Sequence, residues 1–285
     1  MTSSSFEFFT LSPPSNITGC NTIVSSGVYV LTNNLTSTGT CITISADNVV
    51  LDGSGFTINY SYISTGYAVQ IDQGKKNVTI KNLKIVGGFS ETSSGIFVNA
   101  GQNISIFNNS IRAFNGMAIR SFGLSILGYT TPHIYRNNIT TYGLDGDAIF
   151  VEGFIKVNVT ENRISTMGDS SYAIYLINSG ASAPNLGIFR NNTITTFGSS
   201  SRGIRIDSGS FNIIESNIIT TYGDVVEGIF LNINTHYNNI SNNNITVLNS
   251  NNAGIKIASS SNNTLRNNFI FTNSSAQGID FQSSS

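Results

Sequence analysis

Few side chains in this sequence could carry out a chemical step. Three carboxylates lie close together, Asp145, Asp147 and Asp169, with Glu152 nearby and Asp224 and Glu227 further along. Two carboxylates facing one bond can hydrolyse a glycoside, one as acid and the other as base or nucleophile. Clustered carboxylates can also hold calcium, which takes oxygen ligands. Such an enzyme needs a partner that stabilises charge or takes a proton, and Arg120 and Arg205 are the cations that could serve. Against this, residues 199–201 are all serine and interrupt the acidic series. Solvated carboxylates closing turns account for the same residues. No Ser-His-Asp set, phosphate-binding glycine loop or zinc spacing occurs. The two histidines, His133 and His236, are far apart. The expectation is a protein with no catalytic role and no cofactor. Calcium enters only under the alternative of a polysaccharide lyase or glycoside hydrolase.

The elements that would position these residues follow from a repeat. A small residue followed by Ile-x-Ile/Val recurs about every 26 residues, from Ala68-Val69-Gln70-Ile71 through Gly95-Ile96-Phe97-Val98 to Gly278-Ile279-Asp280-Phe281. About fifteen residues after each comes Asn-x-Ile, at Asn109, Asn137, Asn162, Asn192, Asn217, Asn243 and Asn268. A third motif, Thr-Thr-aromatic-Gly, occurs at residues 140–143, 195–198 and 220–223. Alternation with a period of two marks short strands with one buried face, and helical periodicity is absent. Two or three strands per repeat describe a coil that cannot bury its inner face alone and must stack on its neighbours. The chain is therefore expected to be an all-β, right-handed parallel β-helix of about nine to ten coils. Residues 1–40 would be an N-terminal cap segment and first partial coil, and 41–285 the coils of a single domain with no evident C-terminal cap. The asparagines would form a ladder that passes amide hydrogen bonds from coil to coil.

In this arrangement the outward residue of the first motif forms one column: Gln70, Phe97, Arg120, Phe150, Tyr175, Arg205, Phe230, Lys256 and Asp280. Phe97, Phe150, Tyr175 and Phe230, with Arg120 and Arg205, are a candidate binding surface. Aromatics so placed can stack on sugar rings, dock a protein, or simply stack on one another as good strand formers.

Only 10% of residues are charged and the formal net charge is −1, while Asn, Ser and Thr number 38, 40 and 28. Without clustered Lys or Arg, nucleic acid is not an expected partner. No apolar run approaches the length of a membrane span. Asn-x-Ser/Thr sequons at Asn16, Asn34, Asn59, Asn77, Asn103, Asn138, Asn158, Asn239 and Asn273 are candidate N-glycosylation sites. Cys20 and Cys41 are nearly one coil apart and could pair across adjacent strands, which would agree with an oxidising compartment.

The stretch from Cys20 to Leu35, followed by Cys41-Ile-Thr-Ile-Ser-Ala-Asp-Asn-Val-Val-Leu-Asp-Gly-Ser-Gly-Phe-Thr-Ile58, resembles the opening of NosD-like parallel β-helix repeat surface proteins. That resemblance implies the fold and an extracellular or cell-surface location. The copper handling suggested by the family's name has no matching His or Met cluster here. The ends offer a further clue: Phe6, Phe8, Phe9 and Leu11 at the start, and Ile279 and Phe281 at the finish, are apolar. Open coil ends invite strand pairing. The favoured reading is a structural surface protein whose copies join head to tail into a filament or sheath. The alternatives are the carbohydrate-active enzyme and a glycan-binding adhesin.

Overall fold

The computed structural model describes residues 13–87, 93–114, 117–122, 131–153, 156–177, 186–248, 252–273 and 276–282, with 117–122 described in its backbone alone. Three parallel sheets of eleven, ten and eleven strands run the length of a right-handed β-helix. The first sheet extends from the strand Ser15–Ile17 to Thr264–Arg266, the second from Leu35–Thr36 to Phe269–Thr272, and the third from Asn21–Ile23 to Gln277–Gln282. The chain visits them in the order first, second, third, so each three-strand coil lies on the one before. The rung count is slightly above the nine to ten coils expected. The segment before residue 41 already supplies strands to all three sheets.

Each sheet keeps strict register, so one residue per coil falls in each column. Ile85, Ile111, Ile139, Ile164, Ile194, Ile219, Ile245 and Ile270 form one such column on the inner face of the second sheet. From Ile85 to Ile245 these side chains are at most 1% exposed. β-Branched residues suit both the strand backbone and this stacking, and each fully buried one stabilises by about 2–3 kcal/mol.

The turns between sheets explain the polar motifs. From the first sheet to the second, eight coils turn in two residues, the first in the left-handed region, such as Asn82 (φ 58), Asn108 (φ 54) and Asn191 (φ 57). In seven of the eight the second of the pair is the ladder asparagine, and in the first it is Leu83. Asn109, Asn137, Asn162, Asn192, Asn217 and Asn243 each donate through Nδ2 to the Oδ1 of the next, at 2.9–3.1 Å, ending on Asn268. Each also donates to a main-chain carbonyl, as Asn192 does to Val159 at 2.9 Å. The second-to-third turn has seven residues in four successive coils, 142–148, 167–173, 197–203 and 222–228. Its second position is always glycine, because a Cβ on Gly168, Gly198 or Gly223 would lie 1.9–2.0 Å from the carbonyl oxygen of the glycine one coil earlier.

Cys20 and Cys41 form a disulfide with Cα atoms 4.6 Å apart, at the start of two paired strands. Closing a loop of 21 residues should contribute about 3 kcal/mol through the unfolded chain. Because coils contact only their neighbours, replacing both cysteines with serine should loosen the first coils and leave the rest intact. Hydrogen exchange is expected to show faster exchange over residues 15–44, with protection at residues 186–248 unchanged.

The asparagine ladder has companions. Asn212, Asn238 and Asn263 are linked at 2.8–2.9 Å, and Asn48, Asn77 and Asn103 at 2.8 Å. The sequons Asn77 and Asn103 therefore carry inter-coil hydrogen bonds while remaining exposed. Asn16, Asn34, Asn59 and Asn138 are also exposed, and Asn158, Asn239 and Asn273 are half-buried. None of the nine lies in a strand of the third sheet.

Candidate functional site

The outward column of the third sheet is in register from Gln70 to Asp280: Phe97 pairs with Gln70 and Arg120, Phe150 with Arg120 and Tyr175, Arg205 with Tyr175 and Phe230, and Lys256 with Phe230 and Asp280. The side chain of Arg120 lies outside the described residues. The expectation that this column offers its aromatic rings as a binding surface needs correcting. Phe150 and Phe230 are only 6% and 8% exposed, because neighbouring side chains cover their rings. Tyr175 meets Phe150 edge-on with centroids 5.5 Å apart. Arg202, Lys256 and Arg205 lie 4.9, 5.6 and 5.8 Å from the centre of the Phe230 ring. Phe97 stacks on Tyr67 at 4.6 Å.

A second column, three residues upstream of the first, completes the cluster. It occupies the sixth position of the seven-residue turn and reads Asp147, Tyr172, Arg202, Glu227. Arg202 Nε donates to Glu227 Oε2 at 2.6 Å, and Lys256 Nζ is 3.8 Å from Glu227 Oε1. Arg205 donates from Nε and Nη2 to Asp207 at 2.8–3.1 Å, and from Nη1 to the Tyr172 hydroxyl at 2.8 Å. Tyr175 donates its hydroxyl proton to Asp207 Oδ2 at 2.8 Å. Cations, carboxylates and rings thus close on one another across four coils. Burial, with the Asp207 charge second, holds the Tyr175 hydroxyl well above its ordinary pKa. Burial also raises Glu227, although Arg202 and Lys256 pull against it.

The three acids picked out in the sequence occupy equivalent turns but do not form one column. Asp145 (φ 53) matches Ser170 in the next turn, and Asp169 matches Leu144 in the previous one. Asp145 and Asp169 are exposed, whereas Asp147 is 4% exposed. Asp147 Oδ1 accepts the Tyr172 N–H at 2.7 Å, and Asp169 Oδ1 accepts the Ser199 N–H at 2.7 Å. Both carboxylates therefore serve main-chain donors of the following coil. Asp147 and Glu227 are three coils apart, about 14 Å at the usual strand spacing, beyond the roughly 5–9.5 Å of a glycosidase pair. Among the described residues no group of three or more His, Cys, Asp or Glu could hold a metal ion.

Burial pushes the Asp147 carboxyl up to about 8, with Asp145 adding to the rise and the Tyr172 N–H opposing it. A folded pKa above the unfolded one means that the stability linked to this group is full below about pH 4 and lost as pH rises towards 8. Asp147→Asn keeps the Oδ1 acceptor and removes the titration. It should match the parent near pH 4 and exceed it by about 5 kcal/mol at pH 8.5, read from urea unfolding across that range.

One exposed feature was not expected. The first position of the long turn carries Tyr142, Met167, Phe197 and Tyr222, each 37–43% exposed, with Phe197 and Tyr222 stacked at 5.0 Å. The Thr-Thr-aromatic-Gly motif was its signal. The sequence reading also missed Tyr172, Arg202 and Asp207. At the far end, the inward-facing Ile279 and Phe281 are 42% and 60% exposed. Phe6, Phe8, Phe9 and Leu11 lie outside the described residues.

The fold and this face define a right-handed parallel β-helix. A family model described as a right-handed β-helix region matches residues 147–285. No curated protein matches the chain. Among solved structures, DFA-IIIase from Arthrobacter chlorophenolicus A6 in complex with GF2 is 13% identical, with a TM-score of 0.52 over 85% of this chain and 63% of that one. This chain therefore spans less than two thirds of that enzyme. The surface protein and adhesin PfbA of Streptococcus pneumoniae is 14% identical, with a TM-score of 0.56 over 90% of each chain. At these identities the likeness is one of fold.

Proposed function

We propose that this chain is a non-enzymatic extracellular structural or surface protein, of the NosD-like surface-repeat type, whose rods join head to tail into a filament or sheath. The observation that carries the non-catalytic reading is the closure of the third-sheet cluster. Asp147 and Asp169 are bonded to main-chain N–H groups, Asp207 to Arg205 and Tyr175, and Glu227 to Arg202 and Lys256. A catalytic acid and base need to face a substrate and each other, and this arrangement spends its charges on coil-to-coil contacts. The disulfide supports an oxidising, extracellular setting. The resemblance in extent to an adhesin of a bacterial surface supports the same location. Head-to-tail joining draws on the exposed inward residues Ile279 and Phe281, which any following coil, from the same polypeptide or a second copy, would cover.

The test is incubation with a panel of neutral and acidic polysaccharides, with and without calcium. No reducing ends and no unsaturated products are expected. Turnover that Asp147→Asn or Glu227→Gln abolishes would establish the hydrolase or lyase instead.

A further inference from the structure

A cleft far from the third-sheet cluster has the makings of a ligand site. The coil containing Val49–Asp52 and Thr57–Tyr60 takes four residues, 53–56, to pass from the first sheet to the second, where the eight later coils take two. The extra residues form a turn closed by the Phe56 N–H donating to the Gly53 carbonyl at 2.8 Å. Ser54 (φ 49) caps it by donating its N–H to Asp52 Oδ1 at 2.9 Å, and the Gly55 N–H donates to the Asn82 carbonyl at 2.8 Å. This turn stands over the corner of the next two coils and borders an open cleft of about 410 Å³.

One wall of the cleft is a polar chain: Asn82 Nδ2 donates to Asp52 Oδ1 at 2.9 Å, and Asn108 Nδ2 to Asn82 Oδ1 at 2.6 Å. Lys84 and Ser110, paired in register on the second sheet, also line the cleft. Gly55 and the buried Leu83 complete the lining. The Asp52 charge is already balanced by Lys81, 3.2 Å away. Lys84 is exposed and forms no ion pair among the described residues, so the cleft contains one uncompensated positive charge.

We infer that this cleft binds a saccharide bearing a carboxylate, a uronic acid residue, with Lys84 on the carboxylate and the Asp52–Asn82–Asn108 chain and Ser110 on the hydroxyls. The volume lies within the range of small-molecule sites and admits one to two sugar units. Amides present a donor and an acceptor side by side, matching the alternation of hydroxyls on a sugar. The inference is independent of catalysis and of end-to-end joining, since every residue belongs to the second to fourth three-strand coils of one chain.

The experiment is calorimetric titration of the full chain, made in a host without N-glycosylation because Asn108 begins a sequon. Digalacturonate is the probe, with maltose and sodium acetate as controls. Digalacturonate should bind at least about tenfold more tightly than either control. Lys84→Gln should weaken it about tenfold while leaving the melting temperature unchanged, and Ser110→Trp should abolish it by filling the cleft. Absence of digalacturonate binding, acetate binding as tightly, or a Lys84→Gln variant of parental affinity would each overturn the inference. If Ser110→Trp proves unstable, the Lys84→Gln comparison decides alone.

Discussion

Gly198→Ala is expected to disrupt the middle of the rod, costing more than about 4 kcal/mol or abolishing soluble protein. A Cβ at this position would lie 1.9 Å from the Gly168 carbonyl oxygen and 2.3 Å from its carbon. Added atoms in a packed interior usually cost about 1–3 kcal/mol because side chains can shift. Here the obstacle is main chain, held on both sides of the glycine. The Phe197 N–H donates to the Thr166 carbonyl at 2.9 Å, and the Ser199 N–H to Asp169 at 2.7 Å. The coils can separate only by giving up such bonds. Gly55 is the control. Its φ of +81° strains a side chain, but a Cβ there meets nothing within 4 Å. Gly55→Ala should therefore cost only about 1–2 kcal/mol. Urea unfolding of the two variants separates steric exclusion from backbone preference. A Gly198→Ala protein within 1 kcal/mol of the parent would mean the coils do not approach so closely.

The second large effect is expected at Asn192. Its Oδ1 accepts from the N–H and Nδ2 of Asn162 at 3.0 and 3.1 Å, and its Nδ2 donates to Asn217 Oδ1 and the Val159 carbonyl at 3.0 and 2.9 Å. Asn192→Ala removes four hydrogen bonds at a residue 1% exposed and leaves dry partners behind. At about 1 kcal/mol each, and more for orphaned groups, the loss is about 4 kcal/mol. Asn192→Asp keeps the acceptor, loses both donors and buries a charge, so it should be no better at neutral pH and should recover partly in acid. Asn268, the half-buried last member, no longer donates to a further asparagine among the described residues. Asn268→Ala should cost about 1–2 kcal/mol. Equal losses at the two positions would contradict a ladder whose strength depends on neighbours on both sides.

Much of this architecture was legible because the repeat writes one residue into each column. The Ile-x-Ile runs became the third sheet, and Asn137 and Asn162 the ladder, since period-two burial and a two-residue turn leave little else for those residues to do. Thr-Thr-aromatic-Gly decodes in the same way: Thr220 faces outward, Thr221 inward, Tyr222 is exposed, and Gly223 lies against the Gly198 carbonyl. The third-sheet cluster was harder to read. Its second column changes residue type at every coil, from Asp147 to Tyr172, Arg202 and Glu227, so no motif marks it. Most of its pairs join residues 25–33 positions apart, as Arg202 with Glu227 and Arg205 with Tyr172. Phe150 and Phe230 occupy the expected column, but the packing of tyrosine and arginine from neighbouring coils decides that their rings are covered. Asp145 and Asp169 fall one turn position apart, a shift that only the glycine column reveals.

The central claim, a structural rod that joins its own kind end to end, is tested most directly by electron microscopy of the purified protein at increasing concentration. Eleven rungs at about 4.8 Å set an axial repeat near 50 Å. Filaments with that repeat are the result expected. Dispersed rods of about 50 Å at every concentration would contradict it.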